Sequence, residues 1–203
     1  MTEVTLTFKN IWEHIQKRPL YKWIALLVVW EEKVFLPYTL WKAASCWLFL
    51  RDANTSVSVI EIINLLDEVL GAKTFNSLFP VILTDNGSEF SNPKEIEKRS
   101  TITCNRTKIL YCDPSAPYQK GACEVNHELI RRIVPKGSSF DELTQHDITL
   151  MMNHINSYKR KKLNNRSPYE TFSFYYGEEV LKKLGCSPVA AGNIILKPKL
   201  LKK

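Results

Sequence analysis

Two carboxylates stand out because of the segments that carry them. Asp85 follows a short apolar run in ILTDNGSEF (82–90), and Asn86 and Gly87 turn the chain directly after it. Glu124 lies further along, in the first turns of a predicted helix. Hard divalent cations prefer carboxylate oxygens together with substrate phosphates, so this pair could support metal-dependent phosphoryl transfer. Taken alone, Asp-Asn-Gly is an ordinary turn and a single helical Glu is usually solvated.

Length and charge narrow the class of protein. The chain has 203 residues, 44% of them hydrophobic, with a net charge of +7 and a pI near 9.1. This length allows one compact domain. The basic surplus predicts a polyanionic partner, most simply nucleic acid, and a solvated basic surface is the alternative. Five cysteines without a CxxC pair favour reduced thiols over a zinc site.

We expect no membrane partner. The apolar run at 24–30 is far shorter than the roughly 20 residues that a bilayer span needs, and the sequence shows no signal peptide. The expected location is the cytoplasm, where thiols stay reduced.

The elements that must position the two carboxylates follow from apolar spacing. Residues 22–50 are expected to form strands, although they lack clean alternation and turn signals. Two further strands are predicted over 81–83 and 109–112. Helices are predicted over 5–17, from the cap Thr55 to Gly71, over 123–134 and 140–159, and as short elements from Ser167-Pro168 and over 178–184. This order predicts an α/β sheet flanked by helices.

Three regions are expected. Residues 1–20 form an N-terminal helix and linker, 21–176 the core that carries the two carboxylates, and 177–203 a C-terminal helix with a basic tail. The tail over 197–203 is expected to be loose.

Five segments in unbroken order then resemble one family. They are TDNGSEF (84–90), YCDP (111–114), YQKGACEVN (118–126), IRRIVPKG (130–137) and HINSYKRKKL (154–163). Together they resemble the DDE transposases of the insertion-sequence family numbered thirty, over roughly residues 55–176. The resemblance implies an RNase H-like, retroviral-integrase-like mixed sheet flanked by helices. It also implies DNA strand cleavage and transfer in transposition and integration, with Mg²⁺ or Mn²⁺ at a two-metal site. By the same resemblance, residues 21–176 are expected to be an integrase-type catalytic core, in a bacterial protein that associates with the nucleoid when it is bound to DNA.

Residue by residue, the resemblance makes Asp85 the second metal-binding acid and Glu124 the third. Its motifs and the clustered charges also predict contacts with DNA, salt-dependent and largely independent of sequence. The predicted contacts are Lys120, Asn126, Arg131, Arg132, Lys136, Lys159, Arg160, Lys161, Lys162 and Arg166. The alternative for the basic residues is a solvated helix end. His127 is interpreted as a motif residue near the site, and His154 as a structural residue on an apolar helix.

The first acid of the family is missing. The resemblance places it on the opening strand, but KWIALLVVWEEK (22–33) contains no Asp. Ile24 stands at that position, and Glu31 and Glu32 come too late. An alkyl side chain cannot bind Mg²⁺, so we expect an inactive copy. Because the chain begins close to the predicted core, the copy is also expected to be N-terminally truncated, and its opening strands are expected to be distorted.

A codon argument offers a cause. The bases that join the Trp23 codon to the Ile24 codon spell GAT, an Asp codon, in the neighbouring reading frame. In that frame the junction of Trp30 and Glu31 spells GGA, which is Gly. The hypothesis is that residues of about 20–47 are translated out of frame between two compensating indels, and a divergent strand pair is the alternative. The gene's nucleotide sequence decides between them, because a stop codon in the shifted frame excludes the hypothesis.

Three other readings stay open at this point. Glu31 or Glu32 could replace the missing acid in a competent enzyme. The chain could instead be a non-catalytic DNA- or partner-binding remnant, which forms a homo-oligomer or co-assembles with a full-length transposase. It could also be an unstable product of a decayed gene.

Overall fold

The computed structural model describes residues 23–25, 28–30, 33–40, 45–51, 55–84, 86–99, 102–113, 121–138 and 142–201. The helix predicted over 5–17 lies outside these residues. So do Asp85, Lys120, Glu31 and Glu32.

The sheet opens with an antiparallel meander. Its strands are β1 (Trp23–Ala25), β2 (Val28–Trp30), β3 (Lys33–Leu40) and β4 (Ser45–Arg51). β1 and β2 pair with β3 in a single register, from Trp23 opposite Leu40 to Trp30 opposite Lys33. β4 pairs with the other edge of β3. We expected distortion here, but the described backbone pairs without a shift, because residues rich in Val, Leu and Trp keep their strand propensity whatever their origin.

The second half of the sheet is parallel. β5 (Val81–Thr84) pairs with β1 on one side and with β8 (Lys108–Tyr111) on the other. The strand order is β2-β3-β1-β5-β8, with β4 paired to β3. A separate hairpin joins β6 (Lys98–Arg99) to β7 (Ile102–Asn105). The mixed sheet confirms the predicted fold class.

Helices flank the sheet. They are α1 (Ser56–Leu70), α2 (Ala72–Leu78), α3 (Pro93–Glu97), α4 (Gly121–Ile133), α5 (Gln145–Ser157), α6 (Pro168–Tyr176) and α7 (Glu178–Lys183). Thr55 and Gly71 bound α1 as predicted, since Thr55 caps the helix and Gly71 has a φ of 78°. α5 is shorter than its predicted range, because a capping box of Thr144 and Asp147 begins it later.

α5 also covers the outer edge of β4. The side-chain amide of Asn156 accepts from Cys46 N at 2.8 Å and donates to Cys46 O at 2.7 Å. Gln145 bonds in the same two-sided way, accepting from Leu50 N at 2.9 Å and donating to Leu48 O at 3.0 Å. These bonds satisfy an edge that would otherwise offer free backbone groups to another strand.

The residues after 176 pack on the same core as the sheet. Leu181 and Cys186 are buried, and Trp47 Nε1 donates to Cys186 Sγ at 3.2 Å. Leu200 and Leu201 pack against the core, so the described part of the tail is attached rather than loose. No helix of the described residues is long and apolar enough to span a membrane.

Candidate active site

The carboxyl ends of two parallel strands form the centre of the candidate site. β5 ends at Thr84, which is fully buried, and Thr84 O accepts from Cys112 N at 2.7 Å just beyond β8. Asp85 is the next residue in the chain and lies outside the described residues. In α/β sheets, functional groups gather at this end of the strands.

The neighbouring strand β1 carries Ile24. In the parallel register Ile24 lies opposite Leu83, and Leu83 is two positions before Asp85 in the chain. Trp30, the last described residue before Glu31 and Glu32, pairs with Lys33 at the other end of the hairpin. The partners of Ile24 and Trp30 on β3, Thr39 and Lys33, are six residues apart, or roughly 20 Å along that strand, so the two glutamates follow a point far from Ile24.

The turn after Asp85 buries Glu89, an acid of the TDNGSEF motif for which the sequence predicts no role. Glu89 is 2% exposed and lies in a single 3-10 turn, Ser88–Phe90. A Cβ atom added to Gly87 would lie 2.6 Å from Glu89 Cδ and overlap the carboxylate oxygens. Tyr111 Oη donates to Phe90 O at 2.6 Å and ties this turn to β8.

We therefore expect Gly87→Ala to destabilise the protein by about 1–3 kcal/mol, the usual cost of overpacking. Urea denaturation measures this loss. Gly192→Ala is the matched control, since a Cβ there meets no atom within 4 Å. Equal stability of the two variants would contradict the close approach of Gly87 to Glu89.

Glu124 and Asn126 lie near the start of α4 but differ in exposure. Glu124 is exposed. Asn126 is fully buried, and its Oδ1 accepts from Arg160 Nη2 at 2.8 Å. Arg160 is 8% exposed, and burial lowers the pKa of its guanidinium to about 10.

The predicted DNA contacts Asn126 and Arg160 are thus interior in this structure. Arg160 N also donates to Arg166 O at 3.0 Å, which closes the loop after α5 and turns the arginine inward. All four residues from Lys159 to Lys162 are basic, so the sequence alone does not show which of them is buried. The tertiary packing buries Arg160 and leaves the three lysines exposed.

The other described cations of the predicted set are exposed. They are Arg131, Arg132, Lys136, Lys159, Lys161, Lys162 and Arg166. Arg132 pairs with Glu128 at 2.5 Å, and both side chains are more than half exposed; such a pair contributes little and leaves the arginine accessible. The guanidinium of Arg166 lies 5.7 Å from the centre of the Phe174 ring.

The two histidines of the motif region differ. His127 is half-buried on α4. His154 is buried on α5, and its Nδ1 accepts from Ile195 N at 3.0 Å. This supports a structural role for His154, because the bond needs an unprotonated Nδ1.

Burial lowers the pKa of His154 below its ordinary value of 6.5. Stability is then full above the unfolded-state pKa near 6.5 and is lost as the pH falls from there through the lower folded-state pKa. We expect the melting temperature to drop between pH 7 and pH 5, and to drop less in His154→Gln. His146→Gln, at an exposed position of the same helix, is expected to keep the wild-type profile. An unchanged profile in His154→Gln would refute this account.

Comparison with known proteins shows which sequences this chain is similar to. No protein-family model matches the chain. It is 34% identical over 104 residues to the transposase for insertion sequence element IS4351 of Bacteroides fragilis, covering 51% of this chain and 30% of that protein. It is 36% identical over 86 residues to the transposase for element IS30A of Escherichia coli, covering 42% of this chain and 21% of that protein. This chain is a relative of the insertion-sequence transposases. The match spans less than a third of either transposase.

Solved structures that are similar to this chain identify its fold. The catalytic core domain of BIV integrase superposes with a TM-score of 0.53 at 18% identity, covering 79% of this chain and 97% of that one. A chain of the simian T-cell lymphotropic virus intasome in complex with a PP2A regulatory subunit gives 0.57 at 12% identity, covering 74% and 53%. The fold is therefore the RNase H-like fold of integrase catalytic cores.

Proposed function

We propose that this chain is a transposase catalytic core that binds DNA but does not cleave or transfer strands. The similarity to insertion-sequence transposases supports a function in DNA transposition and integration. The observation that carries the proposed loss of activity is the parallel register of β1 and β5, with Ile24 opposite Leu83. An alkyl group then occupies the strand position from which the first acid would reach the metal.

The proposed metal is Mg²⁺ or Mn²⁺, held by Asp85 and Glu124. Two carboxylates with water and phosphate oxygens suit one such ion. When bound, the ion would polarise a phosphate oxygen or activate a water for attack on phosphorus. The donor set at Ile24, Asp85 and Glu124 is one oxygen ligand short of the set expected for a two-metal site. Replacement of the first acid by Glu31 or Glu32 is disfavoured, because Trp30 pairs at the far end of the hairpin from Trp23.

The proposed DNA contacts are the exposed cations of α4 and of the loop after α5. Lysine and arginine side chains that neutralise phosphates release counterions, so the affinity should fall linearly with salt on logarithmic axes. Co-assembly with itself or with a full-length transposase is the accompanying partner proposal, and the mass of the complex on DNA would report it.

DNA binding can be tested with a labelled duplex over a range of salt. Lys161→Ala with Lys162→Ala is expected to weaken binding and to reduce the salt slope by about 1–2. Lys73→Ala with Lys94→Ala removes two exposed lysines from α2 and α3 and is the matched control. Absence of salt-dependent binding by the unmodified chain would overturn the proposal.

A further inference from the structure

A groove of about 400 Å³ lies where the end of α4, the residues after α5 and the C-terminal segment meet. Its cations are Arg132, Lys159 and Lys197. Ile194 and Leu196 add apolar surface, and Tyr158 contributes an aromatic ring. Cavities of ~300–1000 Å³ hold small-molecule-sized ligands, so this groove has room for one nucleotide unit.

The wall formed by the C-terminal segment is fastened to α5. Ser187 N donates to Asn153 Oδ1 at 3.0 Å, and Val189 N donates to Ser157 Oγ at 2.9 Å. The bond from Ile195 N to His154 Nδ1 holds the backbone between the two apolar lining residues. The groove is thus formed before any ligand arrives, which lowers the entropic cost of binding.

The chemistry of the lining combines positive charge with apolar surface. Lys159, Lys197 and Arg132 favour an anion, and the pair that Arg132 makes with Glu128 is exposed and weak. Contact with the backbone of a duplex would need the cations alone. The apolar side chains of Ile194 and Leu196 lie in the same lining as Tyr158, a residue that is 41% exposed. This combination suits the face of an unstacked base.

We propose that this groove binds an unpaired nucleotide of single-stranded DNA. The phosphate contacts Lys159 and Lys197, and the base packs against Tyr158, Ile194 and Leu196. The inference rests on the proposed DNA binding and adds the form of DNA and a contact, Lys197, outside the motif region.

Fluorescence anisotropy with a labelled oligo-dT strand and with the same strand paired to oligo-dA tests this. Tyr158→Leu keeps bulk and removes the aromatic face, so single-strand affinity is expected to fall about tenfold or more while duplex affinity changes little. Tyr158→Phe is expected to retain single-strand binding. A melting curve of each variant checks that it is folded.

Lysine variants supply the matched pair. Lys197→Gln is expected to weaken single-strand binding and to lower its salt slope by about 0.7. Lys199→Gln, at an exposed position outside the groove, is expected to bind as the unmodified chain does. If Tyr158→Leu and Lys197→Gln bind single strands normally, or if they weaken both forms of DNA equally, the inference is overturned while DNA binding stands. If the unmodified chain binds neither form, the proposed function fails with it.

Discussion

Replacing Ile24 with aspartate is expected to create Mg²⁺-dependent nicking of DNA in a chain that we propose to be inactive. The reason is the β1–β5 register, in which residue 24 lies opposite Leu83. Leu83 is two positions before Asp85 in the chain. A carboxylate at this position would complete a set of three acids with Asp85 and Glu124. Completing a preorganised charged site commonly changes a rate by about 10²-fold or more, so conversion of supercoiled to nicked plasmid should rise at least that far above the background.

The controls for this gain are built into the same background. Adding Asp85→Ala or Glu124→Ala to Ile24→Asp should return nicking to the background, because each removes another proposed ligand. Ile24→Asn tests whether a neutral polar residue of similar size suffices, and it is expected to stay inactive. Nicking by Ile24→Asp that survives Asp85→Ala would show that the activity arises elsewhere.

Asp67→Ala is expected to destabilise the protein by about 3–5 kcal/mol, the usual result of breaking a buried ion pair. Asp67 lies on α1 and is 8% exposed. Arg99 donates to both of its carboxylate oxygens, at 2.6 and 2.8 Å, and Arg106 Nη1 lies 3.6 Å away. Burial lowers the pKa of Arg106 and Asp67 opposes that shift, so the variant leaves a buried cation without its counter-charge.

Guanidinium denaturation followed by far-UV circular dichroism measures that loss. Glu68→Ala, at an exposed position next along the same helix, is the matched control and is expected to change stability by less than about 0.5 kcal/mol. A loss below about 1 kcal/mol for Asp67→Ala would mean that Arg106 is held by its other bonds alone. Those bonds run to Ile96 O, Asn64 Oδ1 and Glu95 O.

The elements that carry motifs could be predicted from sequence because local signals bound them. Thr55 and Gly71 bound α1, and Ser167 with Glu170 forms the capping box that begins α6. The β6–β7 hairpin was not predicted. Its place depends on contacts distant in sequence, since Arg99 and Arg106 pair with Asp67 on α1, and such contacts leave no local pattern. α2 and α3 were not predicted either, although Pro93 is a local signal for the start of α3.

The roles of Asp85 and Glu124 at the candidate site stay predictions from the motifs. The structure adds the burial of the motif residues, and Glu124 is exposed. Asn126 and Arg160 share the same motifs, but they bond to each other in the interior. Glu89 belongs to the TDNGSEF motif, but its burial could not be predicted, because it depends on the close approach to Gly87 that only the folded turn creates.

The pairing of the opening strands bears on the decayed-gene reading. Asn156 and Gln145 hold the outer edge of β4 through its backbone, at Cys46, Leu48 and Leu50. Bonds to backbone groups do not depend on which side chains β4 carries. Cys46, Trp47 and Leu48 also pack in the core through their side chains. The backbone bonds give β4 an attachment to α5 that altered side chains would not remove, so a folded and inactive chain is compatible with the reading-frame hypothesis.

The most direct test incubates the unmodified chain with end-labelled duplex DNA and Mn²⁺, and reads bound and cleaved fractions from the same sample. The predicted result is salt-sensitive binding with no cleavage above a protein-free control. Mn²⁺-dependent cleavage by the unmodified chain, abolished by Asp85→Ala, would contradict the proposed loss of the metal site at Ile24.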